Sequence, residues 1–288
     1  MISFYESGDS MIAALQIQDR SSPHFLQRLK AVFHPYDITV RRRKYHKAAV
    51  LHIHYHDYRG KINWQKLSPY LAGCHPSILC DKNICLDGTP YQRFESHDYT
   101  RHLIRNFVTD MLKKAALPPQ ALRIAYYDPM AAYPAMVPAL ADYSTHLTIV
   151  TDMPKFYEKE AEQLTALYGF SPLVSNSPEA LTDSDIIVTT EVIDSAWPLS
   201  AQTIVFTPQT PLVALKGTIL SEYCVNIPYP YQRLQPAGMD NVYFLSALYT
   251  LCGIKDMEQL LPYQCSDGQA LYTTDRLIGR LASLRPSA

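Results

Sequence analysis

Three histidines alternate with apolar residues in one short stretch of the chain. His52, His54 and His56 lie at every second position, so on a β-strand they point to one side. Imidazoles at this spacing can chelate zinc or copper. Side chains at i and i+2 stand ~7 Å apart and need a bend to share an ion. We therefore predict a polar strand face, and we keep the three histidines, with His46 nearby, as the weaker metal-site alternative.

A second group of polar residues follows apolar runs that are typical of buried parallel strands. Parallel strands end at one edge of a sheet, and open α/β sheets bind ligands at that edge. We therefore predict a ligand site there, suited to a polar, neutral or cationic small molecule better than to a phosphate. The alternative is that tyrosines fill this cleft and that it binds nothing. The candidate residues are Tyr126, Asp128, Thr151, Asp152, Thr189, Thr190 and Glu191.

Two further clusters favour structural interpretations. Cys74, Cys80 and Cys85 have wider spacings than the paired cysteines of structural zinc sites, so we predict buried or incidental thiols. Residues 41–44 are the only basic run, and they predict a solvated edge strand that its charges protect from aggregation. A nucleic-acid strip is the less favoured interpretation of that run.

Composition limits the class of protein. The chain has 288 residues, 47% hydrophobic and 18% charged, with a formal net charge of −1, which is ordinary globular composition. We expect no nucleic-acid or membrane partner, since no strong field is present and no run of ~18 apolar residues occurs. The first ten residues lack a signal-peptide pattern, and the six cysteines are sparse, so we expect a cytoplasmic protein. The 21 tyrosines suit half-buried strands, clefts or interfaces.

The elements that must position these residues alternate in type along the chain. Apolar runs at 122–127, 146–151, 173–174, 185–189, 203–206 and 223–227 predict strands, and periodic segments at 98–112, 128–143, 155–168 and 240–252 predict helices. Ser96 is the expected N-cap of the first of these helices. Residues 38–45 and 48–58 predict a hairpin, 64–71 a helix and 78–86 a further strand pair. The expected fold is α/β, with a small N-terminal α/β domain at 1–95, a parallel-sheet domain at 96–265 and a helical segment at 266–288.

This order of elements resembles the shikimate dehydrogenase-like enzymes, which have a small substrate domain, a linking helix and a Rossmann domain. Thr210-Pro211-Leu212 and Ala237-Gly238-Met239 resemble loops of that family, and Ser21-Ser22-Pro23-His24 resembles its serine-rich substrate-binding turn. The resemblance implies a Rossmann-like domain from Ser96 to Gly253. It is evidence for architecture rather than for activity.

The sequence lacks two features on which the activity of the family depends. The family's dinucleotide loop is rich in glycine so that backbone N–H groups can approach the pyrophosphate, whereas the corresponding positions here are Tyr126, Asp128 and Ala131. Ordinary NAD(P) binding is therefore not expected. The motif of the family's catalytic lysine is absent, because Lys61, Lys66 and Lys82 lack the expected neighbours. Asp152 lies where a ribose-binding acid would be, although an acid at a strand end is common in loops.

The sequence does not determine the function, and it leaves open whether the protein is an enzyme. The leading hypothesis is a Rossmann-like protein with a lost or atypical dinucleotide site that binds a small polar molecule between its domains. One alternative is an active NAD(P)-dependent oxidoreductase with an atypical loop. Another is a non-catalytic structural or interaction protein that forms a homodimer through a tyrosine-rich surface.

Overall fold

The structure, a computed structural model, describes residues 11–19, 32–58 and 62–283, which divide into two compact units. Unit 1 extends to Ser96 and includes Ile227–Met257, and unit 2 comprises His97–Asn226 and the chain from Glu258 onward. The expected division at 1–95, 96–265 and 266–288 was contiguous, whereas here the segment 227–257 belongs with the N-terminal unit. The serine-rich turn at 21–24 and Lys61 lie outside the described residues.

Unit 1 is built on a five-stranded sheet in the order β2-β3-β1-β4-β5. The predicted hairpin is confirmed, because β2 and β3 pair antiparallel, while β1, β3, β4 and β5 run parallel. The first strand was not predicted, and the strand pair expected at 78–86 is wrong because only one short strand forms there. The strands are β1 (Met11–Asp19), β2 (Tyr36–Tyr45), β3 (Ala48–Asp57), β4 (Ser77–Cys80) and β5 (Gln92–Arg93).

One face of this sheet packs against helix α1 (Trp64–Leu71). Leu67 and Leu71, one helical turn apart, are fully buried against Leu15 and Ile53 of the central strands. The side chain of Asn63 caps the helix by accepting a hydrogen bond from the backbone N–H of Lys66 at 3.3 Å. The predicted helix is confirmed, and its apolar stripe forms the core of unit 1.

The other face of the sheet holds the segment 227–257. Gln16 Nε2 donates to the carbonyl of Ala237 at 2.6 Å, and His52 Nε2 lies 2.9 Å from the carbonyl of Leu234. This segment contains helices α5 (Tyr229–Gln232) and α6 (Asn241–Cys252). Side chains of the first sheet thus satisfy loop carbonyls that precede α6, which explains why this part of the chain belongs to unit 1.

Unit 2 is built on six parallel strands in the order β11-β10-β9-β6-β7-β8. When β6 is taken as the first strand, this is the 3-2-1-4-5-6 order of a Rossmann fold, and the order reverses between β6 and β9. The expected Rossmann-like architecture is therefore confirmed. The strands are β6 (Arg123–Tyr127), β7 (His146–Val150), β8 (Leu173–Ser175), β9 (Ile186–Thr189), β10 (Ile204–Phe206) and β11 (Thr218–Leu220).

The helices of unit 2 are α2 (Asp98–Ala115), α3 (Met136–Ala141), α4 (Pro154–Tyr168) and α7 (Thr274–Ser283). Short 3₁₀ helices occur at Pro119–Ala121 and Pro178–Leu181, and a further one at Lys255–Gln259 crosses the boundary between the two units. The helix predicted at 155–168 is confirmed and ends at Gly169, whose φ is 75°. No helix among the described residues is long and apolar enough to cross a membrane.

Two local predictions in unit 2 were wrong. Ser96 does not cap α2: His97 is the N-cap residue, and the Ser96 hydroxyl lies 3.4 Å from that of Thr250. The last predicted strand, 223–227, leaves the parallel sheet. It forms a small antiparallel sheet from β12 (Glu222–Cys224), β13 (Gln264–Ser266) and β14 (Leu271–Tyr272). The sixth parallel strand is instead β11, which the sequence pattern did not predict.

A glycine before β11 makes the strand possible. Gly217 has φ 101°, and a Cβ there would lie 2.5 Å from the carbonyl oxygen of Thr203. We expect Gly217→Ala to lower the free energy of unfolding by about 3 kcal/mol, measured in urea, because backbone strain and a clash add. Gly268→Ala is the matched control: its φ is also positive, at 83°, but nothing lies within 4 Å, so we expect about 1 kcal/mol. Equal losses would contradict the close approach.

Candidate functional site

The carboxylate of Asp128 is the centre of the polar residues at the carboxyl edge of the unit 2 sheet, the edge where its strands end. Asp128 follows β6 directly and is 0% exposed. Its carboxylate has five donor groups at hydrogen-bond distance, which form what we call the Asp128 cluster. They are the backbone N–H groups of Ala132 at 2.8 Å and Tyr133 at 2.9 Å, and the hydroxyls of Tyr126 at 3.0 Å, Tyr157 at 2.6 Å and Thr190 at 3.0 Å. The Tyr126 hydroxyl has one proton, which it shares with the carbonyl oxygen of Tyr133 at 2.6 Å.

The same carboxylate explains why the helix predicted from Asp128 is wrong. An Asp-Pro pair favours turn initiation, and here the chain turns back so that the N–H groups of Ala132 and Tyr133 reach the Asp128 side chain. Ala131 takes a left-handed conformation with φ 51°, which helix geometry excludes. Helix α3 therefore begins only at Met136.

The hydroxyl donors remain neutral. Burial, followed by the charge of Asp128, raises the pKa of Tyr126 well above its ordinary value. Burial, followed by the hydrogen bond to Asp128, likewise raises the pKa of Tyr157. Both phenols therefore keep their protons and donate them, so that oriented dipoles rather than a cation stabilise the buried carboxylate.

The cluster spans the point where the strand order reverses. Asp128 directly follows β6 and Thr190 directly follows β9, and the Thr190 hydroxyl donates to the Asp128 carboxylate from one strand end to the other. Backbone bonds continue the sheet on both sides, since the N–H of Thr190 donates to Tyr127 and that of Asp152 to Pro129. The place where Rossmann folds take their ligand is thus bridged by the protein's own side chains.

The seven predicted residues separate into two groups. Five are buried, and each has a hydrogen bond within unit 2: Tyr126, Asp128, Thr151, Thr189 and Thr190. Asp152 is exposed and Glu191 is partly exposed, so only these two lie on the rim of the edge. All seven residues lie at or next to the carboxyl ends of the strands, as the sequence predicted. Five of them, however, are buried and form hydrogen bonds within unit 2.

Helix α2 ties the loops of this edge together. Arg101 forms a 2.7 Å salt bridge with Glu191, and its Nε donates to the Thr190 carbonyl at 3.3 Å. His102 Nδ1 lies 3.1 Å from the hydroxyl of Tyr133. Because the helix contacts the loops after both β6 and β9, it holds the two sides of the reversal point in register.

Sequence reasoning missed Tyr133, Tyr157 and Arg101, although each contacts the cluster or its loops. Asp128-Pro129 was a usable signal, since an aspartate before a turn commonly accepts from amides a few residues on. No local signal identifies Tyr157 or Arg101, because their partners lie 29 and 90 residues away in the chain.

Tyr127, which is partly exposed at the rim, packs against the buried side chain of Trp197. The ring of Tyr127, the last residue of β6, contacts the Trp197 ring with centroids 4.8 Å apart and planes at 59°. Burial, then the charges of Asp152, Asp194 and Glu191, raise the pKa of Tyr127 above its ordinary value. The rim therefore joins aromatic surface to negative charge.

The residues present do not fit a dinucleotide in the ordinary Rossmann mode. That mode needs free backbone N–H groups at the turn after the first strand and an open approach to them. Here the N–H groups of Ala132 and Tyr133 already bond the Asp128 carboxylate. A pyrophosphate would have to displace that carboxylate or lie against it, and like charges repel.

The alternating histidines of unit 1 do not gather as metal ligands. His52 is 4% exposed, its Nε2 lies beside the carbonyl of Leu234, and burial lowers its pKa. No three His, Cys, Asp or Glu side chains in residues 11–19, 32–58 and 62–283 form a group that could hold a metal ion. In the register with β2, His52, His54 and His56 lie opposite Arg41, Thr39 and Asp37.

Two cavities of about 210 and 290 Å³ lie at the opposite edge of the unit 2 sheet, where its strands begin. Arg123, Asp183 and Ser184 line both of them. Open parallel sheets bind their ligands at the carboxyl edge, so we prefer the edge that contains Asp128 to either cavity as the candidate ligand site.

Comparisons with known proteins found no matching family model and no matching curated protein. Weakly similar solved structures include the iminosuccinate reductase of Paracoccus denitrificans in complex with NAD+, at 14% identity over 37% of this chain and 35% of that one, with a TM-score of 0.26. Another is the Thermococcus litoralis Δ(1)-pyrroline-2-carboxylate reductase in complex with NADH and L-proline, at 14% identity over 63% and 62%, with a TM-score of 0.26.

A third similar structure is the quinate dehydrogenase from Corynebacterium glutamicum in complex with NAD, at 9% identity over 69% of this chain and 80% of that one, with a TM-score of 0.27. Shikimate 5-dehydrogenase-like proteins are also among the similar structures. The chain spans less than two thirds of the first two structures named. These likenesses are weak and architectural, and they define no reaction for this chain.

Removing the central carboxylate tests the cluster. We expect Asp128→Asn to lower the free energy of unfolding by about 3 kcal/mol or more, because an amide NH₂ would face groups that are themselves donors. The matched control is Asp142→Asn, which removes a charge from an exposed carboxylate that accepts from Tyr168 at 2.7 Å. That change should cost less than about 1 kcal/mol. Similar losses in urea for the two variants would contradict the importance of the cluster.

Proposed function

We propose that this chain is a Rossmann-fold protein that no longer uses a dinucleotide in the ordinary mode and instead binds a small polar molecule without phosphate. The carboxylate of Asp128 supports the proposal most directly, because it occupies the amides on which a pyrophosphate would rest. The Asp128 carboxylate thus takes the place that the negative charge of a pyrophosphate has in an ordinary dinucleotide site.

Displacing the Asp128 carboxylate from its donors is energetically unfavourable for an incoming pyrophosphate. A carboxylate that accepts charge-assisted hydrogen bonds from buried donors loses several of them if it moves out, and each is worth about 1.5–3 kcal/mol. An incoming pyrophosphate would gain two amides but would leave the hydroxyls of Tyr157 and Thr190 without the acceptor that they now have. Displacement is therefore costly, and a ligand that avoids these amides is favoured.

The rim supports a ligand of a different charge. Asp152 and Asp194 are exposed at the carboxyl edge, and the neighbouring aromatic ring of Tyr127 is partly exposed. Carboxylates and an aromatic face suit polar, neutral or cationic groups, whereas a phosphate would be repelled. Catalysis is not part of the proposal, since no nucleophile or general base is identified in the cluster.

A second candidate function is an NAD(P)-dependent oxidoreductase with an atypical loop. The observation that favours it is the strand order of unit 2, which is the order of dinucleotide-binding domains. In this case Asp128 would have to rotate away when the cofactor binds.

Thermal unfolding with and without NAD(H) and NADP(H) separates the two candidates. A cofactor at ~100 times its dissociation constant stabilises a protein by ~2.7 kcal/mol, which is easily visible as a rise in Tm. We expect no rise with any of the four nucleotides. A rise that depends on nucleotide concentration would overturn the proposal and favour the oxidoreductase.

A further inference from the structure

A second group of polar residues lies at the amino edge of the unit 2 sheet, where its strands begin. Arg123 is the first residue of β6, and Asp183 and Ser184 come shortly before β9, the strand that pairs with β6. These three residues line both of the cavities of about 210 and 290 Å³, so the two cavities adjoin. Pockets for drug-sized ligands measure about 300–1,000 Å³, so this space suits a smaller molecule.

Ser184 supplies this shared wall with a buried hydroxyl that the protein does not satisfy. The residue is 7% exposed. Its N–H donates to the carbonyl of Leu181 at 3.1 Å, and its carbonyl accepts from the hydroxyl of Thr203 at 2.9 Å. The Ser184 hydroxyl itself has no hydrogen-bond partner among the residues that the structure describes. Because buried polar groups normally have partners, a molecule in the cavity is the partner that remains for this hydroxyl.

Two opposite charges lie on the same wall without neutralising each other. The guanidinium of Arg123 contacts one carboxylate within the described ranges, that of Asp185, and only at 3.5 Å. That carboxylate also accepts from the backbone N–H of Arg123 at 2.8 Å. The side chain of Asp183 forms neither a hydrogen bond nor a salt bridge in the described part of the chain, although it lines the same cavities as Arg123. A cation and an anion therefore face one small space from separate positions.

We propose that Arg123, Asp183 and Ser184 form a second ligand site, the amino-edge site, which binds a small zwitterion with a carboxylate and an ammonium group. The ligand carboxylate accepts from the Arg123 guanidinium, whose parallel N–H groups match a carboxylate, and from the Ser184 hydroxyl. The ammonium group donates to the Asp183 carboxylate. A simple anion is repelled by Asp183 and Asp185, and a simple cation by Arg123. The inference goes beyond the proposed function, because this site lies at the opposite edge of the sheet from Asp128.

Thermal unfolding of the full chain with zwitterions, and with the two halves of a zwitterion, tests the amino-edge site. The probes are glycine, β-alanine and 4-aminobutyrate, which join a carboxylate to an ammonium group through carbon chains of increasing length. Sodium acetate and methylammonium chloride at equal concentration and ionic strength supply each charged group alone. We expect a saturable rise in Tm with at least one zwitterion, because a ligand that binds the folded state stabilises it, and a clearly smaller effect with either half.

Variants show whether the zwitterion binds where the proposal places it. Asp183→Asn and Arg123→Gln should each weaken its binding by about fivefold, because each removes the partner of one ligand charge at an exposed position. Ser184→Ala should also weaken binding but leave the Tm without ligand unchanged, since the protein does not use this hydroxyl. Glu158→Gln is the matched control for Asp183→Asn: it removes an exposed acid of α4 that lines neither cavity, and it should leave binding unchanged.

Three results would overturn the amino-edge site. The first is no saturable rise in Tm with any of the three zwitterions. The second is a rise with acetate or methylammonium alone that equals the rise with the zwitterion. The third is a zwitterion response that Asp183→Asn and Arg123→Gln leave unchanged, because the ligand would then bind elsewhere on the protein. The nucleotide titration that tests the proposed function is separate, and its outcome does not depend on any of these results.

Discussion

A carboxylate that is removed from water must be given donors or a cation, and the carboxyl edge of unit 2 is organised by that requirement. Asp128 is fully buried and is stabilised by two amides and three hydroxyls. The donors come from the loop after β6, from β6 itself, from α4 and from the loop after β9. Satisfying one charge therefore fixes the relative positions of several elements.

The local chain conformation follows from the same interaction. The turn after Asp128 directs two N–H groups at the carboxylate, at the expense of a helix that would otherwise begin there. Thr190 then joins the two strands at which the sheet order reverses. In a dinucleotide-binding domain this point is open to a ligand, whereas here it is a closed hydrogen-bonded network.

Much of the fold was predictable because local periodicity determined it. The strand 146–150 and the helix 154–168 were found almost to their ends, since apolar runs, the helical repeat and Gly169 mark them. The strand β11 was missed because the longer apolar run at 223–227, a few residues further on, was predicted as the strand instead. The membership of 227–257 in unit 1 was also missed, since it depends on side chains such as Gln16 and His52 reaching distant carbonyls.

The candidate site was predictable in place but not in detail. Strand ends located the carboxyl edge, and the absent glycines are the basis of the prediction, still to be tested, that a pyrophosphate does not fit. Sequence alone could not show that Tyr157 and Thr190 turn inward to bond Asp128, because those contacts join residues 29 and 62 positions apart. It also could not pair Tyr127 with Trp197, which tertiary packing alone brings together.

The most direct measurement of the central claim is a crystal structure of the protein grown with saturating NADH. The account predicts the Asp128 carboxylate within hydrogen-bond distance of the Ala132 and Tyr133 amides, with no pyrophosphate at the end of β6. A pyrophosphate bound to those two amides, with Asp128 rotated out of the cluster, would contradict it.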